Sequence, residues 1–149
     1  MTASGAYGTE PTWPSVPVDA VRHVVDLDSL AGVRDAVGRQ ADRCGLATAA
    51  RDDLVLAANE LATNVVRHGG GSGRLRLWAA GGWFYCQICD RGPGLADTAV
   101  GGGARTDVNA MTGRGLWLVR RLTHRVRIET GTGGTTITLA MALALRSTS

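Results

Sequence analysis

The chain has 149 residues, 44% of them hydrophobic and 19% charged, with a formal net charge of +3. That length and balance suit one globular domain and exclude a disordered or fibrous polymer. All 16 basic residues are arginine, which excludes a Schiff-base lysine, a P-loop lysine and a Ser-Lys dyad.

Residues 1–17 are rich in Gly, Thr, Ser and Pro without periodicity and are expected as a mobile tail. Val21–Leu27 is a β-branched run and predicts the first strand. Ser29 is placed to cap a helix running to about Cys44, with Leu30, Val33, Val37 and Ala41 on one face. A longer helix is predicted from about Thr48 to His68, stopping at the glycines of 69–71. Arg74–Ala80 and Trp83–Asp90 read as two strands joined by Gly81-Gly82, a hairpin signal. Residues 91–112 lack a period and read as a long functional loop. Leu116–Thr123 reads as a helix, and His124–Thr130 with Thr135–Leu143 as a closing hairpin. The domain is placed at 18–145, with a short tail over 146–149. The fold class is α/β (α+β), a two-layer sandwich with a mixed, mostly antiparallel sheet covered by helices on one face.

The three cysteines are Cys44, Cys86 and Cys89. Residues three apart on a strand point to opposite faces, so Cys86 and Cys89 are expected not to share a metal ion. A sparse, odd set of thiols fits a reducing cytoplasmic setting. No apolar run reaches membrane-spanning length and no leader precedes the domain, so no membrane partner is expected. No stretch interleaves Arg with exposed aromatics, so direct nucleic-acid contact is not expected either. Arg120, Arg121, Arg125 and Arg127 read as a solvated face.

Four pieces carry possible chemistry. On the long helix, Leu54, Ala58, Leu61 and Val65 form the apolar stripe, and Asp53, Glu60, Asn64 and Arg67 run along one border of it. Glu60 and Asn64 are four apart and thus neighbours. A carboxylate beside an amide oxygen suits Mg²⁺, although the same pair also fits a solvated helix edge. Asp90 ends an apolar strand and is followed by Gly92 and Gly94, which place an acceptor-only carboxylate and an open backbone at a pocket mouth, or form a plain turn. Gly113-Arg114-Gly115-Leu116 leads into a helix, where free N–H groups favour phosphate, or forms a glycine-rich helix start with no ligand. Gly134-Thr135 offers a hydroxyl beside a close-approach backbone.

In this order the four pieces resemble the motifs of the GHKL ATPase and kinase superfamily. Glu60–Asn64 resembles its N box, Asp90-x-Gly92-x-Gly94 its G1 box, Gly113-x-Gly115-Leu116 its G2 box, and Gly134-Thr135 its terminal Gly-Thr step. The resemblance covers about residues 20–143 and implies the Bergerat fold. It further implies that Asn64 coordinates Mg²⁺ and Asp90 holds the adenine amine of ATP. Gly92 and Gly94 would line the base, Gly113, Arg114, Gly115 and Leu116 would wrap the phosphates, and Thr135 would assist at the adenine. Residues 96–112 correspond to the lid, with Arg105 and Arg114 as candidate phosphate contacts.

One strand and one helix ahead of the N box are most similar to the bacterial anti-sigma factor serine/threonine kinases. A sensor histidine kinase would need a phospho-accepting His on a dimerising helix pair, which is not expected here. The similarity implies a sigma factor as partner and phosphorylation of a Ser or Thr on a STAS-type anti-anti-sigma antagonist. Glu60 is then the candidate general base, and a homodimer is a further partner the resemblance suggests. The competing reading is a binding module in which ATP orders the lid and no phosphoryl transfer occurs.

Overall fold

The computed structural model describes residues 13–68, 70–92 and 114–143. The alternating and β-branched runs form five strands: β1 (Val21–Val25), β2 (Gly73–Ala80), β3 (Trp83–Asp90), β4 (Arg125–Gly131) and β5 (Gly134–Ala142). The 3.6-period segments form three helices, α1 (Leu30–Arg43), α2 (Thr48–His68) and α3 (Arg114–Leu122). The strand order is β1-β2-β3-β5-β4, and every neighbouring pair is antiparallel. The sheet is therefore wholly antiparallel among the described residues, a step beyond the mixed sheet expected.

Two hairpins and one crossover set that order. At Gly81-Gly82 both φ values are positive, +58° and +87°, as a two-residue turn matched to strand twist requires. Between β3 and β4 the chain passes through α3. The last hairpin then lays β5 beside β3 and leaves β4 at the edge.

The helices cover one face of the sheet. Val33, Val37 and Ala41 of α1 and Leu54, Ala58, Leu61 and Val65 of α2 are buried, as the periodicity predicts. They pack with Leu75, Leu77, Phe84, Cys86, Ile88, Leu139 and Met141 in one continuous core. Full burial of the Val, Leu, Ile, Phe and Met side chains among them stabilises by about 1.5–3 kcal/mol each. Leu116 and Val119 bring α3 into the same core.

The opposite face is not bare. Ala20, Trp78, Trp83, Tyr85 and Ala140 form a second buried cluster, and Trp13 and Val16 pack against it. Trp78 stacks on Tyr85 at 5.2 Å and Trp13 meets the same ring at 6.2 Å. Within the segment expected as a tail over 1–17, Trp13 and Val16 thus lie on the sheet, while residues 1–12 are outside the described residues.

Ser29 occupies the position before α1 but makes no side-chain cap bond. Its hydroxyl donates to the Val24 carbonyl at 2.8 Å and accepts from the Asp26 N–H, while the Ser29 N–H donates to Asp26 Oδ1. The hydroxyl serves the strand-to-helix turn, a competing local use of such side chains. Among the described residues no helix is long and apolar enough to cross a membrane.

Candidate functional site

The site lies at one end of the sheet, on the face the helices cover. Strand register places Val25, Gly73, Asp90, Thr135 and Thr130 in one row across β1, β2, β3, β5 and β4. Residues directly opposite share a face, so this row carries the side chains of Asp90, Thr135 and Thr130 together. Thr130 Oγ1 and Thr135 Oγ1 are 2.9 Å apart. Sequence reading did not single out Thr130. The usable signal is the hairpin itself: with Gly131 opposite Gly134, residue 130 must stand opposite residue 135.

Asp90 is half-buried and its carboxylate Oδ1 accepts the Gly92 N–H at 2.8 Å. Burial raises its pKa from the ordinary carboxylate value, while hydrogen bonds from the Gly92 and Thr135 backbones oppose that rise. The carboxylate is thus fixed by two main-chain donors. Gly92 is itself buried, and Gly70, just beyond α2, lies against it: a Cβ at Gly70 would stand 3.5 Å from Gly92 Cα. The G1-like segment and the end of the long helix are therefore in contact.

Tight approaches enforce two further glycines. A Cβ at Gly134, where φ is +128°, would collide with the Asp90 carbonyl and the Arg91 Cα. A Cβ at Gly73 would collide with the Cys89 carbonyl and press on Val65. Both collisions flank Asp90, so the glycines let neighbouring strands close around that carboxylate. Gly73 was not recognised from sequence, since its partner lies on the next strand.

Helix α2 supplies Glu60 and Asn64, both half-buried along the border of its apolar stripe. The start of α3 crosses them. A Cβ at Gly115 would stand 2.9 Å from Glu60 Oε2 and 3.2 Å from Asn64 Nδ2. Gly115 and Leu116 are buried there, and the N–H groups of the first turn of α3 are those that a helix leaves unpaired. The structure thus brings the N-box-like and G2-like residues into contact. Among the described residues, no side-chain hydrogen bond or ion pair engages Glu60 or Asn64. A half-buried carboxylate of this kind favours a cationic or donor ligand, and the amide beside it can turn either its oxygen or its nitrogen to that ligand. Gly94, Gly113 and the proposed lid, with Arg105, lie outside the described residues, as does the Arg114 side chain.

The cysteines separate as strand geometry requires. Cys86 is buried in the helix-facing core, where its thiol pKa is pushed up to about 12 by desolvation, and Cys89 lies on the other face. Among the described residues no group of three His, Cys, Asp or Glu could hold a metal ion.

A family model described as histidine kinase-like ATPase domain matches residues 24–141. No curated protein matches the sequence. Among solved structures, the RsbU and RsbW domains of Rv1364c from Mycobacterium tuberculosis align with a TM-score of 0.64 and 24% identity. That alignment covers 88% of this chain and 34% of that one. The histidine kinase domain of the blue-light activated histidine kinase from Erythrobacter litoralis EL346 aligns with a TM-score of 0.54 and 16% identity. It covers 78% of this chain and 60% of that one. The chain therefore spans about a third and three fifths of these two structures, and at such identities the likeness is one of fold. The family model spans most of the sequence, and its boundaries enclose the Asp90 row and the Glu60–Asn64–Gly115 junction: the chain belongs to the histidine kinase-like ATPase domains, of the GHKL kind.

Proposed function

We propose that this ATPase-type domain is an anti-sigma regulator that binds a sigma factor and phosphorylates a Ser or Thr of a STAS-type antagonist. The observation that carries the reading is the junction of Gly115 with Glu60 and Asn64. It sets the Glu60 carboxylate and the Asn64 amide beside a helix start that favours phosphate. Asp90, at the end of β3, would accept a hydrogen bond from the adenine amine, with Gly92 under the ring and Thr135 beside it. The donor set fits Mg²⁺, whose hard-cation chemistry is met by the Asn64 amide oxygen together with phosphate oxygens and water. Bound Mg²⁺ would neutralise the charge that develops on the transferring phosphoryl group.

In this reading Glu60 acts as general base. Its carboxylate takes the proton of the antagonist hydroxyl as that oxygen bonds to the γ-phosphorus, and the bond from phosphorus to the ADP oxygen breaks. Gly113, Gly115 and Leu116 supply backbone donors to the phosphates, and Arg114 a cation. The resemblance of the four motifs to anti-sigma kinases supports the choice of partners and of a cytoplasmic setting.

The test is incubation with γ-labelled ATP and a panel of STAS-type proteins, scoring label on Ser or Thr, beside calorimetry with Mg²⁺–ATP. Transfer that Glu60→Gln slows at least a hundredfold with unchanged ATP affinity is the expected result. Asn64→Ala should instead weaken Mg²⁺-dependent binding. Tight ATP binding with no transfer to any antagonist would replace the kinase by a nucleotide-ordered binding module.

A further inference from the structure

The face of the sheet turned away from the helices is organised in cross-strand rows. Trp78, Tyr85 and Ala140 form the apolar part of one row, which ends at Arg125 on β4. The next is Arg22–Arg76–Gln87–Thr138–Arg127, one residue from each strand. The third is Val24–Arg74–Cys89–Thr136–Glu129. Arg22 and Arg76 stand directly opposite each other, and like charges so placed destabilise a sheet.

The centre of the second row is built. Arg76 Nη1 donates to Gln87 Oε1 at 3.0 Å, and Gln87 Nε2 donates to Thr138 Oγ1 at 3.1 Å. Gln87 and Thr138 are buried, so the row holds the guanidinium in one place. Arg76 Nε is itself buried without a partner. Three adjoining hollows of about 180, 480 and 410 Å³ cross this face, and Arg76 lines all of them. Arg22, Arg74, Arg91 and Arg127 also line them, five arginines in all with Arg76, against two acids, Glu129 and Asp90. The Arg127–Glu129 pair is 3.5 Å apart and half exposed, so it contributes little and opens readily.

We propose that this arginine trough is a docking surface for an acidic polypeptide segment, in which carboxylates enter the hollows and pair with Arg74, Arg76 and Arg127. Charge complementarity selects the occupant. Guanidinium forks bind carboxylates bidentately, and the held Arg76 loses little freedom in doing so. The chain's own outer segments do not supply the charge: residues 1–12 contain one acid, Glu10, and residues 144–149 contain none. A second copy docked face to face would set five arginines against five, which repels. Single-stranded nucleic acid binds by stacking bases on several exposed aromatics, and here Trp78, Trp83 and Tyr85 are no more than 4% exposed, while the half-buried Trp13 is already packed on Tyr85. The trough meets the candidate nucleotide site at Asp90, while Arg74, Arg76 and Arg127 stand on the face away from the helices, so docking does not depend on phosphoryl transfer.

The probe is a fluorescein-labelled peptide of ten glutamates, with binding followed by fluorescence anisotropy in 0.15 M salt. The intact protein should bind it, and a double variant, Arg74→Glu with Arg127→Glu, should lose at least tenfold in affinity. A control of equal charge change on the helical layer, Arg34→Glu with Arg43→Glu, should retain affinity within twofold. Thermal midpoints and ATP affinity should be unchanged in both, which separates loss of docking from loss of fold or nucleotide site. No binding by the intact protein, or equal loss in both variants, would overturn the assignment. A ten-nucleotide oligothymidylate bound as tightly as the peptide would replace the polypeptide with nucleic acid. A dimer in sedimentation that the Arg74/Arg127 variant dissociates would replace it with a second copy.

Discussion

Gly115, at the start of α3, faces Glu60 of α2 so closely that a methyl group there would lie 2.9 Å from Glu60 Oε2. The same methyl would stand 3.2 Å from Asn64 Nδ2. What it meets are the ends of two flexible side chains rather than backbone. The fold can therefore accept the change while the site cannot keep its geometry.

Gly115→Ala is expected to change stability by less than about 1 kcal/mol, since side chains can turn aside and alanine favours a helix. ATP affinity should nevertheless fall at least tenfold. Urea denaturation and calorimetry on the same preparation check both halves. A variant that bound ATP normally would remove the junction from the nucleotide site.

Gly134→Ala meets a different obstacle. Its φ of +128° is one that a residue with a Cβ rarely adopts, and the new carbon would collide with the backbone at Asp90 and Arg91. The strand cannot yield without breaking the β3–β5 register. A loss of roughly 3 kcal/mol in the free energy of unfolding is expected. Urea titration reads it directly.

Asp90→Asn replaces one of two carboxylate acceptors by a donor. The remaining oxygen can still take the Gly92 N–H, which now holds Asp90 at 2.8 Å. The donor would then face the adenine amine, so ATP affinity should fall roughly ten- to a hundredfold, the worth of a hydrogen bond to a charged group. Thr135→Val should cost less, since it removes a hydroxyl already shared with Thr130. Calorimetry on the two variants that ranked them in the opposite order would reverse these assignments.

His124 predicts a pH effect on stability. Its Nδ1 accepts the Ala142 N–H at 2.8 Å, and its ring meets Trp83 edge-on at 6.4 Å. Burial, with Arg125 adding to it, lowers its pKa, while Asp53 partly opposes the shift. A base with a depressed folded pKa contributes stability that is present above its unfolded pKa of about 6.5 and lost as pH falls through the folded value. The thermal midpoint should therefore drop between pH 7 and pH 5 by more in the wild type than in His124→Gln, whose amide oxygen can accept the same N–H. Parallel curves for the two proteins would exclude His124 as the source.

Much of this molecule was legible one segment at a time. The period of Leu54, Ala58, Leu61 and Val65 sufficed to draw α2, because a helix repeats its own geometry and needs no partner to show its face. The β3 strand and its Gly81-Gly82 turn were equally local. The border positions of Glu60 and Asn64 followed from the same helical wheel. Ser29 was misread as a side-chain cap because its hydroxyl had a competing partner five residues back, in Val24.

Sequence alone determined the elements, the apolar stripes and the order of the ATPase-type motifs, since each rests on neighbours within a few turns of chain. Only the tertiary structure decided that β5 lies between β3 and β4, and hence that Thr135 stands opposite Asp90 and Thr130 at once. It alone set Gly115 against Glu60 and gathered Arg22, Arg74, Arg76 and Arg127 from three strands on one face. Register carries no mark in a single strand. It is settled when two strands bury their apolar faces together, and every polar neighbour across the sheet follows from that choice.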